Sequence, residues 1–258
     1  MSDPIQPAGP PSGPAGAGWP EEPSSDSPGA RVSAANRIWK VLVAPRETFQ
    51  SIAAHPSWGL LFVVTVLVSI AAWYLLAQKI DFAESLRQQF EQQGRDVPSG
   101  TAEKMAGVTK IITLVGAGIA PMVLVLLMAL VYMAFNLFGG RLRYVTSVSV
   151  VLHAGVPNLL KLLLSLPVAM SRDSILLEEA QMGLLKSNLA AFAPENAGRQ
   201  LYLLLASFDV FALWSLFLLI VGFSAAARVS RAKASAFVLV FWAALILLFV
   251  ALAGLRPS

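Results

Sequence analysis

Long greasy runs separated by short polar stretches dominate this chain. The run from Leu201 to Ala227 reads LYLLLASFDVFALWSLFLLIVGFSAAA, with one charged side chain, Asp209. About 20 apolar residues cross the roughly 30 Å hydrocarbon core of a bilayer. The run therefore predicts a membrane-crossing helix with Asp209 inside it. Four more runs are long enough to cross, at about 58–78, 110–138, 144–170 and 234–254. The expected fold is all-α: a polytopic membrane protein with a five-transmembrane-helix bundle over residues 58–254.

The stretches between the runs predict short amphipathic helices, in the N-terminal region and in two outer loops. Before the first run, Ile38, Trp39, Val41 and Leu42 form an apolar stripe beside Arg37 and Lys40. Pro45 fits the first turn of a second helix, with Phe49 and Ile52 on one face. Residues 37–57 thus read as juxtamembrane helices lying in the membrane surface. Ile80, Phe82, Leu86 and Phe90 suggest a helix in the first polar loop, interrupted by Gly94, Pro98 and Gly100. A second loop helix is expected from about Ser174 to Phe192. Residues 1–36 hold half of the 16 prolines and five glycines. So few apolar side chains cannot offset ordering entropy, so a disordered cytoplasmic tail is expected there.

Within the second run, Gly116, Gly118 and Ala120 form a small face that admits close helix packing. Pro121 and, in the third run, Pro157 and Pro167 are candidate bends. The turn Gly139-Gly140-Arg141-Leu142-Arg143 is tight and basic.

Composition agrees with a membrane protein. The chain is 56% hydrophobic and 13% charged, with mean hydropathy +0.67, against about 25% charged in soluble domains. The net charge of +4 is spread between the runs, where basic residues set topology, so no nucleic-acid partner is implied. The chain has no cysteine and only two histidines, His55 and His153. Disulfides and thiolate metal sites are excluded, and no metal or other cofactor is expected. No HExxH, GxSxG or P-loop pattern occurs. Glu178-Glu179 resembles the acidic pair of intramembrane CAAX-type proteases, but the arginine and paired histidines that should accompany it are missing. The reading is therefore non-enzymatic.

Short-loop charge sets the orientation. Residues 139–144 and 228–233 carry two and three basic side chains and no acid, and residues 31–58 carry four against Glu47. The positive-inside rule puts these segments in the cytoplasm. The N terminus is then cytoplasmic and the C terminus outside, in the cell (inner) membrane.

A carboxylate in hydrocarbon needs a partner or an interior position. Lys161 lies about 25 Å into the third run at 1.5 Å per residue. Asp209 enters from the opposite face to a similar depth, so a Lys161–Asp209 contact is expected. Asn158 shares the helix face of Lys161, and His153 lies nearer the cytoplasmic side. Asp209, Lys161, Asn158 and His153 are the candidate intramembrane polar cluster. It reads as an interhelical clamp or, alternatively, as a proton or ion relay.

Three stretches resemble the bacterial branch of the Yip-one family, named for Ypt-interacting proteins. They are Ala44-Pro45-Arg46-Glu47-Thr48-Phe49; Phe138-Gly139-Gly140 with Tyr144 and the run to Pro157; and Phe208 to Trp214 continuing through Gly222-Phe223-Ser224-Ala225 to Lys233-Ala234. The resemblance covers roughly residues 35–254. It implies a five-helix membrane domain with a cytosolic N terminus. Eukaryotic members bind Rab-type GTPases and act in vesicle traffic and membrane shaping. Their Asp-Leu-Tyr-Gly-Pro type motif does not occur here before the first span, so the resemblance carries no GTPase binding to this chain.

Two functions are weighed. One is a membrane-organising or partner-binding scaffold, whose partners are the lipid bilayer, membrane or cytosolic proteins, or further copies of itself. The other is a small-solute or ion transporter or channel using the Asp209, Lys161 and Asn158 constellation.

Overall fold

Residues 33–95, 100–194 and 197–254 are described by the computed structural model. The expected tail lies outside them as far as residue 32. Its last residues instead open the first helix, α1 (Ala34–Val43), where the Ser33 hydroxyl accepts the Asn36 N–H at 3.2 Å. Proline at the first position starts α2 (Pro45–Ala54), where a missing N–H costs nothing. The apolar side chains Phe49 and Ile52 are fully buried, whereas Trp39 and Val43 of α1 remain exposed.

Among the described residues five helical segments are long and apolar enough to cross a membrane: Gly59–Ala77, Thr101–Phe138, Tyr144–Met170, Val210–Ala227 and Arg231–Gly254. The chain is an all-α polytopic membrane protein. The first crossing is α3 (Gly59–Ala77). The second is α5 (Thr101–Tyr132), which passes Pro121 unbroken and tightens to a 3-10 turn at Met133–Phe138. Its 32 residues make it about 48 Å long. It begins well before residue 110, and its first turns pack on α4 (Phe82–Gln92) beyond the span.

The third crossing is two helices, α6 (Tyr144–Ala154) and α7 (Val156–Met170), interrupted at Gly155. Pro157 has no N–H with which to continue the helical ladder, so the expected bend falls there. Pro167 stays within α7.

The fourth apolar run is not one helix. It divides into α9 (Arg199–Ala206) and α10 (Val210–Ala227). The fifth crossing is α11 (Arg231–Gly254). Helix α10 packs on α2, α6, α7 and α11, and α9 packs on α11. One of these approaches is made at Gly222. A Cβ there would stand 2.7 Å from Val150 Cγ1 and 2.9 Å from Phe49 Cε1, so α2 and α6 meet α10 where it has no side chain. Beside this contact Tyr132 and Phe135 pack on Phe223, with ring centroids 4.3 and 5.3 Å apart. Both α5 and α11 leave most of their apolar surface uncovered, as lipid-facing helices do.

The turn from α5 to α6 needs both of its glycines. Gly139 has φ +83°, and a Cβ on Gly140 would lie 2.7 Å from the Phe135 carbonyl oxygen. The Asn136 side chain closes the turn, donating to the Leu142 carbonyl and accepting its N–H at 2.9 and 2.6 Å.

At the opposite end the two polar loops are tied together. Ile175 N–H donates to the Lys79 carbonyl at 2.9 Å, and Asp81 N–H to the Ile175 carbonyl at 3.0 Å. The single helix expected over Ser174–Phe192 is not formed. Instead a short α8 (Leu177–Met182) and a 3-10 turn at Leu189–Phe192 flank Gly183, whose φ of +102° ends the first.

Candidate functional site

The polar cluster forms where the fourth run breaks. Asp209 stands at the start of α10 rather than inside a helix, and its Oδ1 accepts the Phe211 and Ala212 N–H groups at 2.9 and 3.3 Å. A free carboxylate gains more by capping a helix than by sitting in its interior. The preceding backbone leaves the helical ladder and pairs with the loop after α8. Val210 N–H donates to the Ser187 carbonyl at 3.0 Å, and Leu189 N–H to the Phe208 carbonyl at 3.3 Å.

The other carboxylate oxygen, Oδ2, accepts Lys161 Nζ at 2.9 Å and the Ser187 hydroxyl at 2.5 Å. The Lys161–Asp209 contact expected from depth is thus present. The Asp209 side chain is 3% exposed and that of Lys161 23%, so the acid is enclosed and the amine reaches outward. The 18 residues of α10 place Asp209 about 27 Å from the helix's other end, close to the level estimated for Lys161.

Asn158 and His153 do not join this pair. Asn158 lies on α7, where its Nδ2 donates to Ser215 Oγ of α10 at 2.9 Å. It forms a second, separate tie between the same two helices. His153 is buried on α6, with Nδ1 2.7 Å from the Ser149 carbonyl of its own helix. Four candidates therefore resolve into one ion pair, one amide–hydroxyl bond and one packed histidine. Among the described residues no group of three or more histidine, aspartate or glutamate side chains is placed to hold a metal ion.

Ser187 was not anticipated. A serine 22 positions before an acid carries no local signal, and only the tertiary pairing of the loop brings them together. Arg37, beside the apolar stripe of α1, is 4% exposed. Its guanidinium donates to the His55 carbonyl and Ser57 Oγ, both at 2.7 Å, and to Ser51 Oγ at 3.0 Å, while its Nε has no partner. Burial pulls its pKa below the ordinary arginine value. This one side chain ties α1 to the end of α2 and the entry of α3.

Comparison with known proteins agrees with this architecture. The model of the Yip1 domain matches residues 39–252. "Membrane protein YknW" of Bacillus subtilis (strain 168) is 26% identical over 196 residues, covering 75% of this chain and 80% of that one. No solved structure matches the chain. The family match runs from Trp39 within α1 through most of α11, including every residue of the polar cluster, and on it the chain belongs to the Yip1 domain family.

Proposed function

We propose that this chain is a non-enzymatic membrane organiser of the cell membrane, acting through α1 and α2 on the cytoplasmic side. One observation carries the reading. The two helices are pinned to the bundle by buried Phe49, Ile52 and Arg37, yet α1 leaves Trp39 and Val43 uncovered at 67% and 63% exposure. A rigidly mounted helix with an apolar outer stripe beside basic residues suits shallow insertion among headgroups, or a protein partner at that level. The polar cluster supports the same reading. Four donors already fill both oxygens of Asp209, as a clamp requires.

A photocrosslinking residue at position 39 of the full chain, activated in native membranes, tests this. Adducts to lipid or to discrete protein bands are expected. Labelling of position 39 only by water-soluble reagents would overturn the proposal. Solute flux in proteoliposomes that collapses on Asp209→Asn would replace it with a transport function.

A further inference from the structure

A cavity of about 510 Å³ opens at the end of the bundle where α2, the start of α6 and the end of α10 meet. Its charged lining is Arg141, Arg143 and Arg228; Thr146 and Gln50 complete the polar part, and the remainder is alanine. No acid lines it. Glu47, the only acid of α2, does not reach it. Among the described residues none of the three guanidinium groups has a carboxylate within ion-pair distance. At the other end of the protein Arg87, Arg172 and Arg199 each find a glutamate.

We infer that this cavity is a binding site for the phosphate of an anionic lipid headgroup. Its volume suits such a group, and three further features point to an anion. The α6 backbone begins here with no side-chain cap and no acid in its first turn. Its free N–H groups and dipole attract negative charge. Thr146, in that first turn, is 4% exposed, and its hydroxyl donates to no described residue. Arg228 ends α10 at φ 57°, the only non-glycine residue with positive φ among those described. Glycine is the usual occupant of that position. An arginine held there keeps a guanidinium at the cavity at the expense of backbone strain.

The setting selects a lipid as the source of the phosphate. The cavity sits at the ends of two crossings, α6 and α10, which is headgroup level. Trp39 on α1, and Leu137 and Phe138 on the turn before Arg141, are exposed at the same end, as interfacial side chains are. Basic pockets between membrane helices hold anionic headgroups in this manner. The inference does not depend on whether α1 and α2 shape the membrane.

The test is lipid retention by the full chain, read by native mass spectrometry after exchange into mixed phosphatidylcholine and phosphatidylglycerol. The wild type is expected to retain one phosphatidylglycerol. Removing one arginine should weaken retention about fivefold, and removing all three about a hundredfold. Arg228→Gly guards against misfolding, because glycine suits this backbone: thermal stability should hold or rise while lipid retention weakens by that single-arginine factor. The control Arg231→Gln with Lys233→Gln removes charge at the same end outside the cavity and should retain lipid. Equal loss in the control, or undiminished retention after all three arginine changes, would overturn the site. Binding of inorganic phosphate by the wild type, without phosphatidylglycerol retention, would overturn the lipid as its ligand.

Discussion

The two ends of the bundle handle charge in opposite ways. Among the described residues, the end bearing α1, α2 and the short turns carries Arg37, Lys40, Arg46, Arg141, Arg143, Arg228, Arg231 and Lys233 against the single acid Glu47. Among the described residues no ion pair forms there. At the other end basic and acidic side chains are nearly balanced, and all five ion pairs of the described residues lie there. The far end is closed upon itself by backbone pairing between Ile80 and Ile175 and by the Asp209 cap. The near end holds its helices by packing and by Arg37, and among the described residues its other cations pair with no carboxylate. Among the described residues, one end satisfies its charges internally and the other does not.

Removing the acid of the far end should have the largest effect. Asp209→Ala deletes the α10 cap and leaves Lys161 without its counter-ion. Breaking an enclosed pair by removing one partner costs about 3–5 kcal/mol. A matching fall in unfolding free energy is expected, measured by steric trapping in bilayer discs. Asp209→Ser with Lys161→Met should recover most of it, because serine still caps the helix and no charge is left unpaired. If the double change is as harmful as Asp209→Ala, the acid has a role beyond holding α7, α10 and the loop at Ser187 together.

At the near end the corresponding test is Gly222→Ala. The added Cβ meets Val150 and the Phe49 ring below 3.0 Å. Overpacking of this kind costs about 1–3 kcal/mol. Because α2 sits on that spot, the loss should appear as faster hydrogen exchange in α1 and α2, with the amides around Asp209 unchanged. Exchange that rises equally at both ends would mean that the ends are not independently held.

Arg37→Met is expected to cost somewhat less, about 1–2 kcal/mol. It retains the aliphatic stem but strands the Ser51 and Ser57 hydroxyls and the His55 carbonyl, each of which water can partly reach. The readout is protease sensitivity at the Ala44 and His55 junctions, which should rise while the bundle remains intact.

How much of this was legible in the sequence depends on distance along the chain. The five crossings followed from apolar length alone, because a bilayer fixes how many residues a helix needs. The amphipathic stripe of α2 followed from Phe49 and Ile52. The pairing of Lys161 with Asp209 could be reached by counting rise from opposite faces. The break at residues 207–209 could not. Hydropathy sees a continuous run there, whereas the structure gives the acid two backbone N–H groups and a loop from 22 residues earlier. The helical spacing puts Asn158 on the face of Lys161, but its partner Ser215 is invisible to a search for charges. The burial of Arg37 is hidden for a related reason: helical periodicity sets it beside the apolar stripe, and its three acceptors lie beyond α1.

The smallest expected effect concerns the exposed pairs of the far end. Arg87 bonds both Glu84 and Glu103, and these two contacts raise its pKa above the usual arginine value. All three side chains are nonetheless close to half exposed. Water and salt screen such pairs, and the chain entropy lost in holding them offsets most of the attraction. Glu103→Gln should therefore leave the melting temperature of the purified protein unchanged within error, at low and at high salt alike. A drop approaching that of Gly222→Ala would place the far end's strength in its surface charges. An unchanged value leaves that strength with the buried contacts, the Ile80–Ile175 pairing and the Asp209 cap. The contrast between the ends then lies in which charges are enclosed by the fold, and not in how many pairs each end displays.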